Sequence, residues 1–199
     1  SCADCHMPFI SGGGQKFTDH HLQSPLNKIS ASCQVCHREE TERLVQDVYS
    51  RQDKILENRT ILETLLVRCH VEAKTAWDKG ATESMMKDIL MDIRKAQWRW
   101  DFSAAGHGNS FHSPVETGRI IAGGIAFAQD ARVKLARLLA TLGVNSEIPY
   151  PDISSKEKAQ EFIGLDMKNL EEEKKVFLEN VVPEWINTGI DSEKGHCHI

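Results

Sequence analysis

Two stretches of the chain, Cys2-Ala3-Asp4-Cys5-His6 and Cys33-Gln34-Val35-Cys36-His37, carry thiols three positions apart with an imidazole directly behind them. That spacing lets both thiols form thioether bonds to one porphyrin while the histidine takes the proximal side of its iron. Cys2, Cys5, Cys33 and Cys36 are therefore candidate thioether residues, His6 and His37 candidate proximal ligands, and the segment is read as holding two haems c. Two pairs of thiolates could instead hold zinc in a tetrahedral site. The histidine behind each pair is superfluous to zinc and required by c-type haem, which favours haem. A disulfide within either pair would close a small, strained ring.

The opposite face of each iron decides what such a protein can do. With two histidine ligands it only passes electrons, whereas an open face can bind and transform a substrate. The candidate distal ligands are His20, His21, His70, His107, His112, His196 and His198. His20 and His21 lie in the connection between the motifs, where loop backbone can bring a side chain to an iron. His107 and His112 lie in Gly106-His107-Gly108-Asn109-Ser110-Phe111-His112-Ser113-Pro114, at the break between two helical stretches. His70, beside Arg68 and Glu72, reads as a surface residue. His196-Cys197-His198 reads as a terminal tail, since chain ends rarely hold sites.

The elements that must position these residues are helical. Residues 1–37 are loop-rich, with Pro8, Gly12, Gly13, Gly14 and Pro25 between the motifs. From Arg38 to about Lys79 there is neither Gly nor Pro, and Val48, Ile55, Leu62, Cys69 and Ala76 recur every seven residues, which predicts one long helix. Cys69 falls on its apolar stripe as a buried free thiol. Gly80 ends that helix. Thr82 caps a second one, which runs to about Ala105 and carries Met85, Met86 and Met91 as packing residues and Trp98 and Trp100 as core or haem-edge residues. A third begins after Pro114 and shows Ile121, Ile125, Ala128, Ala131, Leu135, Leu138 and Leu142 at three- and four-residue steps before Gly143. Shorter helices are expected from Ser155 onward and from Met167 to about Val182, where Pro183 interrupts. No segment alternates with period two. The expected class is all-α: a loop-rich multihaem segment over 1–37, then long amphipathic helices over 38–199.

Composition narrows the function. The 199 residues carry a net charge of -5 and no basic stripe, which argues against a nucleic-acid partner. Only 7% are aromatic, so porphyrin faces would supply much of the large flat apolar surface. The longest apolar stretch, Ile120 to Ala128, is broken by Gly123 and Gly124 and falls far short of the ~20 residues that span a bilayer. Covalent haem is attached after export, and Cys2 stands at the very start of the chain. The natural protein is therefore expected to extend further toward its N-terminus.

The motif Cys2-Ala-Asp-Cys-His-Met-Pro8, Thr18-Asp19-His20, the motif at Cys33, Ala96-Gln-Trp-Arg-Trp-Asp101, Gly106-His107-Gly108, His112-Ser-Pro114, the run Ala131 to Ala140 and Ile153 to Gln160 together resemble the C-terminal part of the ammonia-forming cytochrome c nitrite reductases. The resemblance runs from Cys2 to about Trp185. It implies a periplasmic pentahaem enzyme that reduces nitrite to ammonium with six electrons, as a homodimer joined through long helices. Its electrons would come from a membrane-anchored multihaem quinol oxidase or a soluble multihaem cytochrome. The motifs at Cys2 and Cys33 would carry the fourth and fifth haems. His20 matches the distal ligand of a haem attached upstream, and His112 that of the haem of the first motif, with His107 the second candidate for that place. The family's catalytic haem uses a C-x-x-C-K motif, and a calcium ion lies close by. This chain has no such motif, so the resemblance puts the catalytic part, its calcium site and the distal ligand of the fifth haem before Ser1. The competing class is a stand-alone dihaem electron carrier; a third is a zinc-stabilised helical module.

Overall fold

The computed structural model describes residues 1–180 in full and, beyond them, the backbone of two short paired strands, Ile190–Asp191 and His196–Cys197. The predictions for Pro183 and for the His196-Cys197-His198 side chains lie outside the described residues. The chain forms two compact units, Ser1–Ile148 and Pro149–Ile199.

The first unit opens with the attachment segment. It comprises a one-turn helix α1 (Cys2–His6), a hairpin of β1 (Phe9–Gly12) and β2 (Gln15–Thr18), and two 3-10 turns, Pro25–Lys28 and Cys33–Val35. The four long or site-bearing helices follow: α2 (Thr41–Asp78), α3 (Glu83–Ala105), α4 (Asn109–His112) and α5 (Pro114–Thr141). In the second unit, α6 (Lys156–Phe162) and α7 (Met167–Asn180) match the two shorter helices expected there. Ser155 caps α6 by accepting the Lys158 amide. The fold is mostly helical, as the periodicity predicts.

The hairpin, like the short strand pair near the C-terminus, departs from the all-helical expectation. Its strands pair Phe9 with Thr18 and Gly12 with Gln15, joined through Gly13 (φ 60°) and Gly14 (φ 79°). Two successive positive φ angles match the right-handed twist of paired strands, and glycine adopts them without a Cβ clash. Four residues per strand are too few for a period-two signal, and the glycines read simply as loop.

The helices end where expected and for a shared reason. At Gly80 (φ 89°) and Gly143 (φ 78°) the next residue donates its amide back over the last turn, Ala81 to the Ala76 carbonyl at 3.0 Å and Val144 to Leu139 at 2.9 Å. This closure satisfies carbonyls that the helix leaves open. At the other end of α3, the Thr82 hydroxyl accepts the Met85 amide.

α5 packs along both α2 and α3. The buried residues of α2 are Leu62, Leu66, Cys69, Glu72, Ala73 and Ala76, all in its C-terminal half. Val48 and Ile55, on the same sequence stripe, are only part-buried. From α5 come Ile121, Gly124, Ala128, Ala131, Leu135 and Leu139, and from α3 Met86, Ile89, Ile93 and Ala96. Of the three methionines on α3 only Met86 packs inside, while Met85 and Met91 are exposed. Two ion pairs cross this core. Arg132 donates to Glu72 Oε1 at 2.7 and 2.9 Å, and Lys134 pairs with Asp92.

The crossing is close because small residues face each other. A Cβ on Gly124 would lie 2.6 Å from Leu62 Cδ2 and 3.2 Å from Arg99 Cβ, whereas one on Gly118 would meet nothing within 4 Å. Gly124→Val is therefore expected to lose about 1–3 kcal/mol, and Gly118→Ala to gain roughly 0.5–1 kcal/mol from helix propensity alone. Thermal unfolding of the two variants should move Tm in opposite directions.

Cys69 sits in the same crossing, its thiol donating to the Ala128 carbonyl at 3.4 Å. Burial, and next the Glu72 carboxylate, push the thiol up to about 12. An unfolded thiol releases its proton near about 8.5, so between those values the unfolded chain holds fewer protons and stability falls as pH rises. Iodoacetamide should leave Cys69 unlabelled in the native protein at moderately alkaline pH and label it in denaturant, and Cys69→Ala should flatten the alkaline loss of stability.

Candidate functional site

The first motif is a single helical turn. Residues three and four apart on a helix share a face, so α1 sets Cys2 and Cys5 side by side with His6 next to them. In the second motif a 3-10 turn does the same work, continued by the His37 amide bonding the Cys33 carbonyl at 2.9 Å. Cys2, Cys5 and Cys36 are exposed, Cys33 is half-buried, and none of the four forms a disulfide. Among the described residues no three His, Cys, Asp or Glu side chains gather as a metal-binding group. Each pair stands with its own histidine, the arrangement a covalent porphyrin needs.

His6 is oriented by the protein. Its Nδ1 lies 2.9 Å from the Gln23 carbonyl oxygen. A carbonyl can only accept, so Nδ1 carries the proton and Nε2 keeps its lone pair for a metal. A partner of this kind fixes the ring and raises its basicity as a ligand. His37 is more open, with Nδ1 3.5 Å from the Glu39 carboxylate.

Opposite His6 stands His112, with ring centroids 6.1 Å apart and planes inclined by 38°. Two imidazole nitrogens each about 2 Å from one metal, on opposite sides of it, put their ring centres about 6 Å apart. The residues thus fit a haem iron between them. The apolar side chains of Phe9, Phe17, Leu22 and Val35, exposed along the attachment segment, suit the edges and faces of a porphyrin.

Local sequence explains how His112 gets there. α4 is a single turn wedged between α3 and α5. The buried Thr117 hydroxyl ties it down by donating to the Ser113 carbonyl at 2.8 Å and to Asn109 at 3.3 Å. Gly108 is glycine because a Cβ there would come within 2.9 Å of the His112 ring, and Gly106 because one would collide with the Asn109 side chain. Phe111 adds an edge-to-face contact to His112 at 5.5 Å. His107 is exposed and turns elsewhere, lining a cavity of about 300 Å³ with Asp53, Arg59 and Ser110.

His20 and His21 follow β2, both exposed. Directly before them in the chain stands Asp19, only 1% exposed, a residue whose sequence context marks it only as part of a motif. Its carboxylate accepts from Lys28, from the His21 amide at 3.0 Å and from His21 Nδ1 at 2.9 Å. The Lys28 ammonium, then the His21 bonds, hold this carboxyl well below the usual carboxylate range. His70 is exposed as expected, near Gln97 Oε1 at 3.4 Å.

Residues 1–192 match the family of cytochrome c552. Cytochrome c-552 of Parabacteroides distasonis is 54% identical over 194 residues, covering 98% of this chain. The chain belongs to the cytochrome c552 family. Cytochromes c-552 of Porphyromonas gingivalis and Bacteroides thetaiotaomicron are each 55% identical over 186 residues, 94% of this chain. The chain spans 39%, 37% and 38% of the lengths of these three cytochromes c-552. Its fold is shared with the catalytic subunit of a cytochrome c nitrite reductase from Desulfovibrio desulfuricans, a protein with two calcium sites. The TM-score is 0.65 at 24% identity, covering 74% of this chain and 33% of that one. Membership of a cytochrome c family implies haem c as the cofactor.

In the haem-loaded protein, His112→Ala is expected to turn one low-spin haem high-spin. His107→Ala should leave every haem in its wild-type spin state, and visible and paramagnetic resonance spectra of the ferric protein distinguish the two.

Proposed function

We propose that this chain is the electron-relay part of a multihaem nitrite reductase that reduces nitrite to ammonium with six electrons. Residues 1–37 are its attachment segment, and residues 38–199 pack against the haems and form the surface of a homodimer. Cys2 and Cys5 hold one haem c, with His6 and His112 as axial ligands. Cys33 and Cys36 hold a second, with His37 proximal. His20 reaches a haem bonded to cysteines outside these 199 residues. The observation that carries this reading is the facing pair His6 and His112 at 6.1 Å. Family membership and the fold shared with a cytochrome c nitrite reductase support it.

Haem c, when bound, supplies a one-electron redox centre whose potential follows its ligands, their hydrogen bonds and its burial. His6 and His112 would together hold the iron of the first motif's haem and leave it no face for nitrite, so that haem would pass electrons and the substrate would react elsewhere. The Gln23 carbonyl strengthens His6 as a donor and so favours the oxidised state. In the whole protein we place five haems, calcium near the catalytic one, a periplasmic location and a multihaem electron donor. Among the described residues no helix is long and apolar enough to cross a membrane.

Intact mass of the denatured natural protein, with its reduced absorption spectrum, tests this directly. Five covalent haems on a chain much longer than 199 residues are expected. Two haems on a chain of this length would make it a dihaem electron carrier instead.

A further inference from the structure

An ionised carboxylate is costly to bury unless every oxygen is satisfied, and Asp19 is buried in the middle of the attachment segment. Its bonds reach three residues. The Asp19 amide donates to the Pro8 carbonyl at 2.9 Å, directly behind the first motif. One carboxylate oxygen takes both the amide and the ring Nδ1 of His21, and the other takes the Lys28 ammonium. Lys28 in turn offers its carbonyl to the Ser32 hydroxyl at 2.8 Å, and that hydroxyl reaches Cys33 Sγ at 3.6 Å, at the start of the second motif. Both haem attachment points and the His20-His21 pair are thus referred to one residue, the first point through the Asp19 amide, His21 and Lys28 through its carboxylate.

We propose that Asp19 is a positioning residue for the axial ligand His20. It fixes the backbone on both sides of His20, ties up the ring of His21 so that it does not compete, and registers the pair against the two attachment motifs. This rests on the reading of His20 as distal ligand to a haem bonded elsewhere in the protein. Bonds that hold a ligand's backbone set the angle and length of the metal–nitrogen bond, and with them the ligand field.

The test uses the full-length haem-loaded protein, with ferric paramagnetic resonance and a potentiometric titration as readouts. Asp19→Asn is expected to shift the low-spin signal and the midpoint potential of one haem per chain, with haem content and the remaining signals unchanged. Lys28→Gln, which removes only one partner of the carboxylate, should move the same haem in the same direction by less. It decides alone if Asp19→Asn fails to accumulate. Wild-type signals for every haem in these variants would overturn the proposal. His20→Ala serves as the reference and is expected to turn that same haem high-spin. If it does so while the Asp19 and Lys28 variants stay silent, only the positioning role is lost. If His20→Ala changes nothing, or His21→Ala has the effect instead, the ligand reading fails and the proposal with it.

Discussion

The separation at which α5 crosses α2 governs where His112 can stand. Gly124, Ala128 and Ala131 on one helix, with Cys69, Ala73 and Ala76 on the other, bring the two backbones near enough for the Cys69 thiol to reach the Ala128 carbonyl. α5 begins at Pro114, two residues beyond His112, and at 1.5 Å per residue its start lies about 20 Å from the crossing at Ala128. A larger side chain at the crossing would tilt that lever, and a few degrees of tilt would carry the imidazole away from His6. Close packing in the helical core is thus a requirement of the ligand geometry as well as of stability.

Small apolar surfaces alone would let the helices slide, because hydrophobic burial has no direction. Arg132 and Lys134, two residues apart on α5, leave opposite sides of the helix and find Glu72 on α2 and Asp92 on α3. Their pairing sets the rotation of α5 about its own axis. The attachment segment uses the same device on a smaller scale, with Asp19 standing where a hydrophobic cluster would be too large for a stretch of this length.

Much of this was legible in the residues. The long gap without Gly or Pro, the glycines at 80 and 143 and the three- and four-residue steps from Ile121 lead to α2, α3 and α5 within a few residues of their observed ends. Those signals are local, and local rules settle helices. The motifs named their chemistry for the same reason, since two thiols and an imidazole within five positions need no tertiary help. Harder to see were the hairpin at Phe9 to Thr18, the burial of Glu72 beside exposed His70, and the hub at Asp19. Each depends on a partner distant in sequence, or on strands too short to show a period. Without the resemblance, His107 and His112 stand alike among glycines in one break, and that the ring of His112 lies near His6 depends on the packing of α4 onto α5.

His6 and His112 come from opposite ends of the first unit, and an iron shared between them would close a loop of about a hundred residues. Thioether bonds at Cys2 and Cys5 need only the first few residues and can form on an unfolded chain. The second imidazole arrives only when α2, α3 and α5 have assembled. The coordination number of that iron would then be an internal gauge of folding, five while the helices are loose and six once they are packed.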